Sequence, residues 1–127
     1  MNLKGICLIL GAALILAGAG PALALEKGSL WDGSQWKDLS KEIKVAYVKG
    51  ICNMADFEVG VGLMGRAACI SKAFVDELKT KSIGQVVDEV DKYYKENPAK
   101  ASTPVIEVIL RRCTTVCPPE AAAGGKK

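Results

Sequence analysis

Between Ile43 and Val59 the apolar side chains fall in two adjoining rows of helical spacing. Ile43, Ala46, Tyr47, Gly50, Ile51 and Met54 follow the i, i+3, i+4, i+7, i+8, i+11 series of one helix face. Val45, Val48, Cys52, Ala55 and Val59 form a second row, which widens the stripe to about two thirds of the circumference. So broad an apolar arc predicts a central helix, packed on several sides. Ser40 stands where its N-cap belongs, and Gly60, Gly62 and Gly65 predict the end of the helix and a compact loop to Cys69.

Three further helices follow from the same periodicity. Cys69-Ile70-Ser71 opens a shorter one carrying Ala73, Phe74 and Leu78. Ser82 and Gln85 have the spacing of a capping box, in which the hydroxyl takes an orphan amide and the Gln side chain reaches back to the cap. Ile83, Val86, Val87, Val90, Tyr93 and Tyr94 continue at helical spacing until Asn97-Pro98 stops them. Thr103-Pro104 reads as a cap followed by a first-turn proline, and Val105, Ile106, Ile109, Leu110, Cys113, Val116 and Cys117 run on to Pro118-Pro119. Ahead of all these, Trp31 to Trp36 is an aromatic lead-in whose Asp32-Gly33 pair signals a turn. No stretch alternates as a strand would. The predicted fold is all-α, a small disulfide-stapled bundle of about four helices.

The amino terminus has another character. One charge, Lys4, precedes the apolar run Ile6 to Leu16, and Ala22-Leu23-Ala24 supplies the small-x-small pattern that signal peptidase accepts. An apolar run of about 11 residues is short of the roughly 20 that span a bilayer as a helix. Residues 1–24 are therefore expected to be a signal peptide cleaved after Ala24, residues 25–119 one helical domain, and residues 120–127 a disordered tail. Export places the mature chain in the periplasm or outside the cell, with no membrane association after cleavage.

Composition then removes several function classes. Of 17 basic residues only Lys4 lies in the leader, and against 14 acidic residues the remaining formal charge is +2, scattered rather than striped, so no nucleic-acid partner is expected. The chain has no histidine, which takes away the commonest metal ligand and the usual general base. Serine and threonine thus lack an activator, and neither a catalytic residue nor a metal site is expected. Asp76, Glu77, Asp88, Glu89 and Asp91 sit on the polar sides of their helices and read as solvated faces rather than acid/base pairs.

Gly60-Val61-Gly62-Leu63-Met64-Gly65 spells G-x-G-x-x-G, but the dinucleotide fingerprint needs a strand before its first glycine, and helix-patterned residues precede this one. No cofactor is expected. Leu63 and Met64, held on the glycine loop, are instead a candidate apolar contact for a partner protein.

Cys7 leaves with the leader, so Cys52, Cys69, Cys113 and Cys117 remain, an even number in a small exported domain, and two disulfides are expected. Cys113 and Cys117 are four apart on one face of the last helix. Joining them to each other closes a short loop worth about 2 kcal/mol, whereas a bridge from either to Cys52 or Cys69 is worth about 4. Staples from the last helix to both Cys52 and Cys69 are therefore favoured over the local pair, with both crossed pairings open.

Tyr47-Val48-Lys49-Gly50, Cys69, "SIGQVVDEVDKYYKENP" and "TPVIEVILRRC", spread over residues 31–117, resemble the small exported helical domains of the Rap/Tai immunity-protein type. The resemblance implies a periplasmic, non-enzymatic inhibitor that protects a bacterium from secreted peptidoglycan amidases. A protein-binding module whose partner is another protein, of unstated oligomeric state, is thus the leading expectation. Alternatives from other classes are an HdeA-like periplasmic stress chaperone and a thiol redox protein using Cys113 and Cys117.

Overall fold

The computed structural model describes residues 30–119; the expected leader and carboxy-terminal tail lie outside the described residues. Five helices follow one another: α1 (Gly33–Trp36), α2 (Lys41–Gly60), α3 (Gly65–Glu77), α4 (Ile83–Glu96) and α5 (Val105–Val116), with a 3-10 turn at Pro98–Lys100 between the last two. The all-α bundle is as the periodicity predicts. The aromatic lead-in, read from sequence as a turn, forms the short α1. Asp32 caps it, accepting from the Ser34 amide at 2.7 Å, while Gln35 Oε1 accepts from the Asp32 amide at 2.9 Å.

The four long helices arrange themselves around one core. α2 packs on α3 and α4, and α5 packs on the same two, so α2 and α5 stand across the diagonal of the bundle. Trp36, Val48, Phe74, Val87, Val90, Val105 and Cys113 are the largest fully buried side chains. Trp36 lies under the bundle end with its indole N–H donated to Asp91 at 2.7 Å, which resolves the one polar atom its burial would strand. Gly33 is required by close approach: a Cβ there would stand 2.5 Å from Tyr94 Cδ1 and 3.0 Å from the Ala101 carbonyl, to which its own N–H donates at 2.8 Å.

Two local expectations shift by a few residues. α3 begins at Gly65, four residues before Cys69, because Gly65 takes a φ of +90° and lets the chain turn straight into a helix. At α5, Pro104 is the N-cap and not the first helical residue, since the Val105 amide is drawn out to the Trp31 carbonyl at 2.7 Å.

A larger correction concerns α2. It was expected to be central and surrounded, yet it is buried on one face only. The core face is the second row, Val48, Cys52 and Ala55, while Ile43, Ala46, Gly50 and Met54 of the first row are exposed. The four other helices of the described residues, one of them only four residues long, are too few to enclose α2, so it keeps one side in solvent.

Candidate protein contact surface

The glycine stretch is a helix–turn–helix elbow. Gly60 is the last residue of α2, and Gly62 takes the left-handed conformation, φ +70°, that follows a helix end. Its N–H donates to the Val59 carbonyl at 3.2 Å and the next N–H, of Leu63, reaches back to the Glu58 carbonyl at 3.1 Å. These are the paired 5→2 and 6→1 bonds of a Schellman motif, which satisfy two carbonyls that the helix end leaves over. No strand delivers Gly60 to the turn, so this backbone lacks the geometry on which the dinucleotide motif depends.

The elbow presents the two apolar residues singled out in the sequence. Met64 is 91% exposed and Leu63 51%. Both sides of the elbow are fastened. Ser71 of α3 donates its hydroxyl to Glu58 of α2, and Cys69, in the second turn of α3, is bonded to Cys117 at the end of α5 with a Cα–Cα distance of 5.9 Å. A methionine held outward on an anchored turn has its apolar surface available without the ordering cost that a free loop would incur on binding.

The cysteines settle partly as expected. One staple, Cys69 to Cys117, closes a separation of 48 residues, and the local Cys113–Cys117 pair does not form. The second expected bridge, Cys52 to Cys113, is corrected: both are free, buried thiols. They belong to the two helices that stand diagonally, and each turns to a carboxylate on its own side, Cys52 Sγ to Asp56 Oδ2 at 3.8 Å and Cys113 Sγ to Glu77 Oε2 at 3.6 Å. Burial, reinforced by the charge of Glu77, pushes the Cys113 thiol up to about 11, and burial with the charge of Asp56 raises Cys52 as well. A thiol kept protonated and hidden is the reverse of the exposed, electropositive setting that thiol-redox chemistry uses.

Two charge clusters engage Glu77, Glu89 and Asp91, three of the five acidic residues that the sequence reads as solvated faces. Glu77 and Glu89 alternate with Lys81 and Arg112: Lys81 Nζ lies 2.6 Å from Glu77 and 2.8 Å from Glu89, and Arg112 lies 3.0 Å from Glu77 and also pairs with Glu89. Partial burial would raise the Glu89 carboxyl, but the hydrogen bond from Lys81 and the charges of Arg112 and Lys81 outweigh it and hold Glu89 below its usual range. The cluster thereby joins α3, α4 and α5. Beside it an open groove of about 440 Å3 runs between α4 and α5, where Arg111 lies 4.4 Å over the Tyr93 ring. On the far side of α4, Asp91 receives both the Trp36 indole and Lys44 Nζ, the latter at 2.9 Å. In both clusters the carboxylates face partner cations or donors, a geometry that fixes the helices to one another.

Among the described residues no group of three or more His, Cys, Asp or Glu is placed to hold a metal ion, and no helix is long and apolar enough to cross a membrane. Sequence reasoning singled out Leu63 and Met64, both of them exposed, and held the Cys69–Cys117 bridge as part of one of two crossed pairings. It missed the exposed apolar residues of α2, because in the one-dimensional pattern they were indistinguishable from core. Comparison of the chain with protein-family models, with curated proteins and with solved structures finds no match.

Proposed function

We propose that this protein is a non-enzymatic periplasmic module that acts by binding another protein, and that the α2–α3 elbow is its contact. The observation that carries the reading is Met64, 91% exposed beside Leu63 on a turn fixed by the Schellman bonds, the Ser71–Glu58 bond and the disulfide. A large flexible apolar side chain offered on a rigid base suits insertion into a concave partner site. Within this class, the resemblance of the sequence to immunity proteins favours a secreted peptidoglycan amidase as the partner. An enzyme cleft is the concave surface that such a projection would block.

The test is inhibition. The protein is titrated into a purified secreted peptidoglycan amidase of the same bacterium acting on isolated cell-wall sacculi. Stoichiometric inhibition is expected, weakened at least about tenfold by Met64→Lys, because a charged head must then be desolvated in the contact. Full activity of the amidase at a large excess of the protein would remove the immunity reading. Unchanged inhibition by Met64→Lys would remove the elbow as the contact.

A further inference from the structure

Far from the elbow, at the start of α2, another open cavity of about 430 Å3 lies where α1, α2, α4 and the 3-10 turn meet. Lys44, which lines it, is sixteen residues before Gly60, so the cavity is about 24 Å along the helix from the elbow. Its walls are mostly apolar and come from Gly33, Trp36, Tyr94, Pro98 and Ala101. Short bonds fix them. The Gly33 amide donates to the Ala101 carbonyl at 2.8 Å, the Tyr94 hydroxyl to the Thr103 carbonyl at 2.6 Å, and the Trp36 indole to Asp91 at 2.7 Å. Gly33 brings α1 directly against the Tyr94 ring, which a side chain there would strike. The cavity is thus formed before anything enters it, as small-molecule sites commonly are.

Four charged residues complete the lining: Lys37, Lys44, Asp91 and Lys95. Lys44 and Asp91 pair with each other at 2.9 Å. Lys37 and Lys95 remain, one following α1 and the other in the last turn of α4, both exposed and neither paired with a carboxylate among the described residues. Two unpaired ammonium groups beside low-dielectric walls focus a positive potential into the space between them.

We infer that this cavity is a binding site for a small amphiphilic carboxylate, whose apolar body lies against Trp36 and Tyr94 and whose carboxylate is met by Lys37 and Lys95. The two parts of the lining select the two parts of the ligand. An inorganic anion would leave the apolar walls unused, and an uncharged hydrocarbon would leave both lysines without a counter-charge. A neutral sugar needs several free donors and acceptors, but the Trp36 and Tyr94 polar atoms are already committed within the fold. Nucleic acid needs a longer row of cations than two. The volume suits a body the size of octanoate or 3-phenylpropionate. For a ligand of about ten non-hydrogen atoms in so open a site, the dissociation constant should be on the order of 0.1–1 mM.

The proposal goes beyond the elbow reading and fails separately from it. Titration of the purified protein with octanoate, followed by amide chemical shifts, should give saturable one-site changes at Gly33, Lys37, Tyr94, Lys95 and Ala101 and none at Leu63 and Met64. Met64→Lys should leave this binding as it is. Lys37→Gln and Lys95→Gln together should weaken it at least about tenfold with the helical circular dichroism unchanged. Lys92→Gln, on the same helix but lining the other groove, should not. Octan-1-ol, which keeps the body, and acetate, which keeps the charge, should each bind at least about tenfold more weakly than octanoate. Absence of saturable shifts at octanoate concentrations on the order of 10 mM, or shifts centred elsewhere, would overturn the proposal. Equal binding of octan-1-ol would overturn it by showing an apolar cleft indifferent to charge. Equal binding of acetate or inorganic phosphate at the same amides would overturn it by showing an adventitious ion only.

Discussion

Helices α2 and α4 pack on each other and share the core, but they meet solvent in opposite ways. α4 buries Val86, Val87 and Val90 and exposes Gln85, Asp88, Glu89, Asp91, Lys92, Lys95 and Glu96, so its two sides differ sharply in polarity. α2 buries Val48, Cys52 and Ala55, and its exposed Ile43, Ala46, Gly50, Met54 and Phe57 form an apolar strip between flanks that carry Glu42, Lys49 and Asp56, so its outer side is only partly polar. A polar outer face costs a domain nothing in stability and protects it from association. Scattered exposed apolar residues need no explanation, but a row along one helix that no other described element covers stands out. The contrast separates α4, whose outer face is polar throughout, from α2, whose outer face carries an apolar strip.

The sharpest way to break that contrast is to place the same charge on both faces of α2. Val48 is fully buried, and Val48→Asp leaves a carboxylate with no partner in the core, a loss of at least about 4 kcal/mol that should unfold the domain or shift its urea midpoint drastically. Met54→Asp, on the outer face, should change stability by no more than about 0.5 kcal/mol. Similar losses at both positions would mean that the outer face is also core.

A smaller effect tests how the end of α5 is held to α3. Since Cys69–Cys117 spans 48 residues, the chain-entropy estimate puts its contribution at about 4 kcal/mol, and reduction or Cys69→Ser should lower the unfolding free energy by an amount of that order. The buried Cys52 and Cys113 should resist alkylation in the native protein at pH 8, and both should react once it is unfolded. For Cys113, a thiol held near 11 when folded and near 9 when unfolded contributes stability that is complete below pH 9 and disappears as the pH rises to 11. Intact-mass counting of alkyl groups distinguishes this arrangement from two bridges, which would leave no thiol to label.

The two helices also differ in how legible they were. For α4, the capping box, the apolar spacing and the Asn97-Pro98 stop are all local, and each sits in the structure where the pattern puts it. For α2, periodicity gave the helix and its glycine end, but two equally apolar rows carry no mark of which faces inward; only the positions of α3 and α4 decide that. The ion cluster shows the same limit. Glu77 and Lys81 are an i,i+4 pair that sequence can propose, whereas Arg112 reaches them only once α5 has folded back. The short α1 was legible and overlooked: Asp32 and Gln35 repeat the cap spacing of Ser82 and Gln85. Leu63 and Met64 could be singled out because glycines bracket them, Gly62 just past the end of α2 and Gly65 at the start of α3, and so short a turn between helices lies at the surface.

The smallest expected effect sharpens the comparison at the starts of the two helices, where each has a serine cap of different quality. Ser82 Oγ accepts from the Gln85 amide at 3.2 Å, and Gln85 Oε1 returns the bond to the Ser82 amide at 2.8 Å, so two orphan donors are satisfied reciprocally. Ser40 Oγ accepts from the Ile43 amide at 3.4 Å, and the box position is held by Ile43, whose side chain cannot return a bond to the Ser40 amide. Ser82→Ala should therefore cost about 1 kcal/mol, since it strands the Gln85 amide while the bond from the residue-82 amide to Gln85 Oε1 stays in place. Ser40→Ala should cost clearly less, about 0.5 kcal/mol, near the lower limit for cap removal. Urea denaturation of the two variants beside the parent gives both values under one set of conditions. Equal losses would show that the hydroxyl bond at 3.2 Å is worth no more than the one at 3.4 Å, and a larger loss at Ser40 would show that the start of α2 depends on its cap more than on the packing of Val48 and Cys52 behind it.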